Sequence, residues 1–426
     1  MVARLRGPGF ARSVLVLAGG AAGAQLINTL VAPFLTRLYN PTQVGQLGLF
    51  LAFVQVAIIA LSLRYEQAIV LPTSEAVAGR LAALALALVP ITTLVAAGIL
   101  AALIALGIAG YGTLPMVAVP LAVIGLAGYG VVGVLRYWLI RHDDYRTVSQ
   151  VAIVQSIVRA ASQVVLGLLN VGVVGLLVSD VLGRVLGLGS VIRRAWGTLS
   201  AAHGGATVGT RVVAREYWRF PVFGAPSSLL NAAAAALPVP LLAGAYGLPI
   251  AGQFALVQRV LGLPLSVVGT SVGDAMLGRM SEQARSDPAA ALPLFRRLAV
   301  VLAAIGVPGA VLLALIGPDL FAFVFGEPWR DAGTVAALMA PWLVAAMIVS
   351  PLSRVALVYQ GQGQKLIYDL LSLGAVAGSI LGGSAAGLDA FETIRLLAWL
   401  QALAYAVYFV VLYRLVVAGS ARLPRV

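Results

Sequence analysis

The sequence predicts an all-α integral membrane protein with about 12 transmembrane helices in two six-helix lobes around a central cavity. Three observations predict it. The 426 residues are 61% hydrophobic and 10% charged, with a mean hydropathy of +1.00; soluble domains are about 45–50% apolar and about 25% charged. Apolar runs that reach the roughly 20 residues needed to cross a bilayer recur along the whole chain. The longest polar interruption, 193–219, divides them into two sets of six. A transmembrane β-barrel would show short alternating segments, which the unbroken 81–108 run excludes.

The first expected span is 14–36. Arg4, Arg6 and Arg12 precede it as they would precede a secretory signal, but the chain beyond is equally apolar. It therefore reads as an uncleaved span. The spans 44–63, 81–107, 114–138, 148–169 and 171–192 complete the first lobe, 1–197; the gap between the last two is the shortest. Residues 198–219 form a cytoplasmic amphipathic linker. In its 207–220 stretch Val208, Val212, Val213, Tyr217 and Trp218 mix with Arg211, Arg215 and Arg219, a pattern suited to the inner interface. The second lobe, 220–426, holds 220–245, 250–275, 298–325, 333–358, 366–386 and 393–416. Pro33, Pro90, Pro120, Pro240, Pro264 and Pro308 lie inside spans and permit kinks.

Orientation follows from the basic residues, 27 Arg and one Lys. With a cytoplasmic N-terminus, 21 fall in inside segments and only Arg37, Arg330 and Arg395 outside. This asymmetry places both termini in the cytoplasm. The formal charge of +13 is scattered between apolar runs without interleaved aromatics, so it signals topology and attraction to anionic lipid, not nucleic acid. With no Cys, thiolate metal sites, disulfides and Cys nucleophiles are excluded. Two His make a His-built zinc site untenable, and no cofactor is expected.

The halves carry a trace of repetition. A shift of 207 residues (246 − 39) lays Pro33, Leu35, Tyr39, Gly45, Gln46 and Leu49 on Pro240, Leu242, Tyr246, Gly252, Gln253 and Leu256. Internal repeats mark transporters with a site between the repeats; chance among similar apolar runs is the alternative. Gly19–Gly23 and Gly183–Gly187 have the GxxxG spacing of close helix contacts.

A charge at the centre of a span costs about 2.5–3.5 kcal/mol on insertion scales, so each such residue is a candidate site. Gln155, Arg159 and Gln163 stack on one face of the fifth span, broadened by Ser156 and Ser162, with no acid within a turn. They form either a wet, anion-attracting wall or an arginine satisfied by carbonyls or a distant carboxylate. Arg259 lies nine residues into the eighth span, about 13 Å deep at 1.5 Å per residue. Gly262, Ser266, Thr270 and Asp274 continue its face. Asp180–Arg184 and Lys365–Asp369 are i, i+4 pairs that neutralise each other, and Arg354 is near enough to the cytoplasmic end to snorkel. Asn28 and Asn231 can bind sugar hydroxyls or hold helices together. Only Asp180 and Asp274 are acids well inside spans. A cation antiporter needs a buried carboxylate cluster, so the balance favours an anionic substrate.

Catalytic motifs fail on context. Gly269-Thr270-Ser271-Val272-Gly273 has nucleophile-elbow spacing but lies in a helical span, away from His142 and His203 in loops. His142-Asp143-Asp144 reads as a solvated loop face. There is no Walker A, dinucleotide or HExxH motif. The chain is expected to be a transporter, not an enzyme, drawing on an ion gradient, the membrane potential or the substrate's own gradient.

Three stretches resemble bacterial polysaccharide biosynthesis proteins, the Wzx-type oligosaccharide flippases of the multidrug/oligosaccharidyl-lipid/polysaccharide exporter superfamily. They are Thr36-Arg37-Leu38-Tyr39-Asn40-Pro41-Thr42-Gln43-Val44-Gly45, Arg64-Tyr65-Glu66-Gln67-Ala68-Ile69-Val70-Leu71-Pro72, and Phe325-Gly326-Glu327-Pro328-Trp329-Arg330-Asp331-Ala332-Gly333, the last followed by Ala340-Pro341-Trp342 and Ser350-Pro351. The resemblance implies a flippase in the bacterial inner membrane. It would move an undecaprenyl-diphosphate-linked oligosaccharide to the periplasmic leaflet, with a glycan polymerase and a chain-length regulator as partners. It also implies diphosphate-binding arginines in the first and eighth spans. Arg259 matches the eighth; the first offers Gln25, Asn28 and, at its outer end, Arg37, so Arg159 stands in. A multidrug or cation antiporter of the same superfamily is the alternative. A non-transporting component of glycan assembly is a further one, disfavoured by the short outer loops.

Overall fold

The computed structural model describes residues 8–204, 209–359 and 361–421; among them there is no strand. Side chains of 8–18, His203, Gly204, Leu263, Ser266, Thr270, Ser271, Arg285, Gln362 and Ala421 also lie outside the described set. So do the expected topology signals Arg4, Arg6, Arg12, Arg422 and Arg425, and the start of the amphipathic 207–220 stretch.

Two compact units divide the chain, Met1–Ala236 and Leu237–Val426. The first opens with α1 (Pro8–Leu30) and α2 (Ala32–Leu38). Pro33 offers no N–H and crowds the turn before it, so the expected span 14–36 breaks at Val31. α3 (Pro41–Ala60) starts on a reciprocal cap: Asn40 Oδ1 accepts from Gln43 N at 2.9 Å, and Gln43 Oε1 accepts from Asn40 N at 3.1 Å. After it, Leu63 and Arg64 take the left-handed conformation, turning the chain into α4 (Tyr65–Ala68). α5 (Glu75–Leu106), α6 (Ala118–Arg141) and α7 (Tyr145–Leu168) follow. Left-handed Asn170 and Gly172 make the short turn that the gap before α8 (Val173–Val185) demands. α9 (Leu188–Gly204) continues the sixth span past Gly187, where φ is +97°. α10 (Thr210–Glu216), a π turn at Phe220–Gly224 and α11 (Ala225–Ala236) close the unit. α11 packs on α3, which groups it with the first unit, so the boundary between the two compact units falls within the stretch expected as the seventh span.

The second unit holds α12 (Pro238–Tyr246), α13 (Leu248–Ser286), α14 (Ala291–Phe325), α15 (Arg330–Leu338), α16 (Ala340–Leu352), α17 (Val355–Val358), α18 (Gln362–Ala385) and α19 (Ala390–Ala421). Among the described residues nine helices are long and apolar enough to cross a membrane, or eleven when the bent pairs 220–246 and 248–284 each count as one span. The expected span 14–36 falls on α1 and α2, outside that number, and the tenth is carried by 340–358. The chain is thus a multi-pass membrane protein. Its outer faces agree: Leu315 is 75% and Phe323 83% exposed, surfaces that only a lipid solvent leaves uncovered at no cost.

The repeated residues make corresponding bonds within each unit. Tyr39 OH donates to Gln163 O at 2.9 Å near the end of α7. Tyr246 OH donates to Leu388 O at 3.2 Å, after α18, and shares a 2.6 Å bond with Thr393 Oγ1. Gln46 Nε2 donates to Thr113 O at 2.7 Å in the loop after α5, and Gln253 Nε2 to Pro328 O at 2.9 Å in the loop after α14. In each unit, therefore, the repeat's glutamine ties the second span to the third–fourth loop, while its tyrosine ties its helix end to the fifth span in the first unit and to the α18–α19 loop and the start of α19 in the second.

The glycine expectation needs correction. Gly19 and Gly23 have open space where a Cβ would go; it is Gly20 that abuts Ser149, where α1 packs along α7. Gly183 does make a close contact, but Gly187 serves as a left-handed turn.

Candidate functional site

α7 and α8 approach because residue 183 is glycine: a Cβ there would lie 2.7 Å from Arg159 Cβ and 3.0 Å from Gln155 O. The close approach sets Asp180, 1% exposed, between two arginines. Arg184 Nε donates to Asp180 Oδ2 at 2.6 Å and Nη2 to Oδ1 at 3.3 Å, the forked geometry that makes such pairs strong. Arg159 Nε stands 3.5 Å from Asp180 Oδ1 without a hydrogen bond of its own, and the Arg159 side chain is 26% exposed. Two guanidinium groups face one carboxylate, so the cluster keeps one positive charge.

The expected i, i+4 pair of Asp180 and Arg184 is present, and it extends to Arg159. No acid lies within a turn of Arg159 on its own helix; the acid comes from α8, which spacing within α7 does not reveal. The expected polar stripe is also narrower. Gln155 Nε2 donates to Arg184 O at 3.0 Å, Ser162 Oγ donates back to Val158 O and Arg159 O, and Gln163 is buried. Tyr129 is a partner that the sequence did not reveal: the Arg184 guanidinium lies over its ring, 5.6 Å from the centroid.

The remaining candidates are dispersed. Gln25 and Asn28 sit half-buried on α1, which packs along α7; Asn28 Nδ2 donates to Ala24 O at 3.0 Å on its own helix. Arg37 is exposed near the end of α2, and Asn231 is exposed on α11. Arg259 is half-buried on α13 of the second unit. Of its expected face, Ser266 and Thr270 lie outside the described side chains. Asp274 pairs with Arg354 at 3.3 Å, so Arg354 is engaged and not merely snorkelling. Lys365 and Asp369 pair at 2.7 Å as expected. The second unit also stacks Tyr368 on Tyr408 at 4.4 Å, with Tyr405 beside them, a cluster not anticipated. Among the described residues no group of three or more His, Asp or Glu forms a cation site.

Two of the resembling stretches do structural work. Arg141 Nη1 donates to Ile69 O at 3.2 Å and to Pro72 O at 2.6 Å, and its Nε to Glu75 at 3.1 Å, fixing the 64–72 segment against α6. In the third stretch Gly333 lies against the backbone of Gly317 and Pro318, and Trp329 is fully buried. His142-Asp143-Asp144 is a structural turn. Asp144 caps α7 through Thr147 N at 3.2 Å and pairs with Arg194 at 2.9 Å, while His142 Nδ1 meets Trp138 O at 2.9 Å.

A family profile described as "Polysaccharide biosynthesis protein" matches residues 34–334. The chain belongs to that family. No curated protein matches its sequence significantly. Among solved structures it is similar to an inward-facing multidrug resistance MATE family transporter of the MOP superfamily, with TM-score 0.70 and 15% identity over 96% of each chain. It is also similar to the lipid II flippase MurJ in an inward closed conformation, with TM-score 0.71 and 11% identity over 93% of this chain and 86% of that one. A third is a MOP superfamily transporter from Pyrococcus furiosus described as having a binding pocket of reverse polarity, with TM-score 0.61 and 15% identity over 98% and 97%. At these identities the likeness is one of fold. This member of the polysaccharide biosynthesis family has the transporter fold of that superfamily.

Proposed function

We propose that the chain is an alternating-access transporter that moves an undecaprenyl-diphosphate-linked oligosaccharide from the cytoplasmic to the periplasmic leaflet of a bacterial inner membrane. The observation that carries this reading is the charge of the Arg159–Asp180–Arg184 cluster. Its carboxylate is claimed by two guanidinium groups, which leaves a partly exposed arginine to meet an anion. A diphosphate cannot cross hydrocarbon uncompensated, and the guanidinium fork matches phosphate oxygens. The family description and the fold shared with a lipid II flippase support the same reading. Arg259 contributes a second guanidinium on α13, with Gln25, Asn28, Asn231 and Arg37 as further headgroup contacts.

Export of drugs or cations is the second reading. The solved structures favour it, since several of them are multidrug or MATE transporters. One experiment separates the two: proteoliposomes assayed in parallel for flipping of a polyprenyl-diphosphate glycan and for efflux of a cationic dye. Flippase function predicts that Arg159→Gln lowers flipping at least about tenfold, that Arg159→Lys restores part of it, and that dye is not moved. Dye efflux lost in Asp180→Asn and retained in Arg159→Gln, with no glycan flipping, would overturn the flippase reading.

A further inference from the structure

α1, α6, α7 and α9 border a cavity of about 160 Å³ inside the first unit, separate from the carboxylate cluster behind it. Tyr129, Val132, Arg136, Ser149, Gln155 and Val191 are among its lining residues, and no acidic residue is. Arg136 is exposed, and none of the ion pairs among the described residues engages it. Behind the Tyr129 ring stands Arg184, fixed by Asp180, so a positive charge backs the aromatic wall. Arg136 precedes the end of α6 at Arg141 by five residues, about 7.5 Å at 1.5 Å per residue. That end is the unit's basic one, with Arg64, Arg80, Arg141, Arg146, Arg193 and Arg194, and the charge asymmetry assigns it to the cytoplasmic side. Just inside that end is where lipid phosphates lie, and basic pockets between spans at this level suit lipid headgroups.

We propose that this cavity binds the phosphate headgroup of a lipid in the cytoplasmic leaflet, with Arg136 as the phosphate ligand and the Tyr129 ring packing against the group attached to the phosphate. The apolar walls, Val132 and Val191, accept the first carbons of the lipid, and the space exceeds what a few water molecules need. A free anion would find one guanidinium and a mostly apolar surface, whereas an amphiphile matches both. In taking a polyprenyl diphosphate as its ligand, the pocket rests on the flippase reading; an ordinary anionic phospholipid has the same headgroup chemistry.

The test uses full-length protein in nanodiscs and three probes: farnesyl diphosphate, phosphatidylglycerol and inorganic diphosphate. Arg136→Ala removes the ligand. Gly133→Leu fills the cavity from α6, where nothing stands within 4 Å of a Cβ and the fold has room for the change. Arg193→Ala, at an exposed arginine of α9 that does not line the cavity, is the control. Both cavity variants are expected to weaken binding of a lipid probe about tenfold or more, with the control unchanged. Loss confined to farnesyl diphosphate supports the pocket and the flippase reading together. Loss confined to phosphatidylglycerol supports the pocket and counts against its link to flipping. Unchanged binding of both lipid probes in both variants, or a response of inorganic diphosphate alone, overturns the proposal, whatever glycan flipping by the Arg159 variants shows.

Discussion

Asp180 is the residue on which the first unit's electrostatics turn. At 1% exposure it holds two arginines, and breaking such a pair from one side leaves uncompensated charge, typically about 3–5 kcal/mol. Asp180→Asn should therefore lower the melting temperature of the purified protein well beyond what Arg159→Gln does; equal melting temperatures would show that the carboxylate carries no such load. Asp144 makes a second case. Burial pushes its carboxyl up, but hydrogen bonds from Arg194 and Thr147 together outweigh that and hold it below its ordinary value. Its contribution is then fully present above the ordinary carboxylate range, near about 3.9, and is lost as pH falls through the lowered folded value. Asp144→Ala should cost roughly 1 kcal/mol through the lost cap and raise hydrogen exchange along α9, which Arg194 anchors. Asp144→Asn should retain the cap and lose the anchor.

Single helices in this fold are positioned by backbone contacts and tyrosine clasps more than by amphipathic faces, because lipid offers apolar side chains no reason to turn inward. α14 and α15 meet at Gly317 and Gly333, where a Cβ on Gly317 would lie 2.8 Å from Gly333 O. Gly333→Ala should force the two helices apart and abolish monodisperse protein on size exclusion. Gly309→Ala, on the same α14 with open space around it, should be neutral or stabilising by up to about 1 kcal/mol. The tyrosine clasps are smaller devices. Tyr246→Phe should lose about 1 kcal/mol, the worth of its hydrogen bonds, and Tyr39→Phe a similar amount; thermal shifts in the two variants read the paired clasps directly.

For the molecule as a whole, orientation can be measured directly, because the chain contains no cysteine. Ser200→Cys, exposed on α9, should react with an impermeant maleimide only after cells are opened; Ala386→Cys, exposed after α18, should react in intact cells. The reverse pattern would invert the topology. Composition and periodicity were enough to read a helical membrane protein, nine to eleven apolar spans, the Asp180–Arg184 and Lys365–Asp369 pairs and the repeat of Tyr and Gln. Each of these rests on hydropathy or on spacing along the sequence, both of which the linear chain displays. Three things were decided only by packing: that Asp180 reaches across to Arg159, that Gly20 and not Gly19 or Gly23 makes the α1 contact, and that Asp274 takes Arg354. Each is a meeting of side chains from different helices, and rotation of one helix about its axis in lipid leaves no trace in the hydropathy that placed it there.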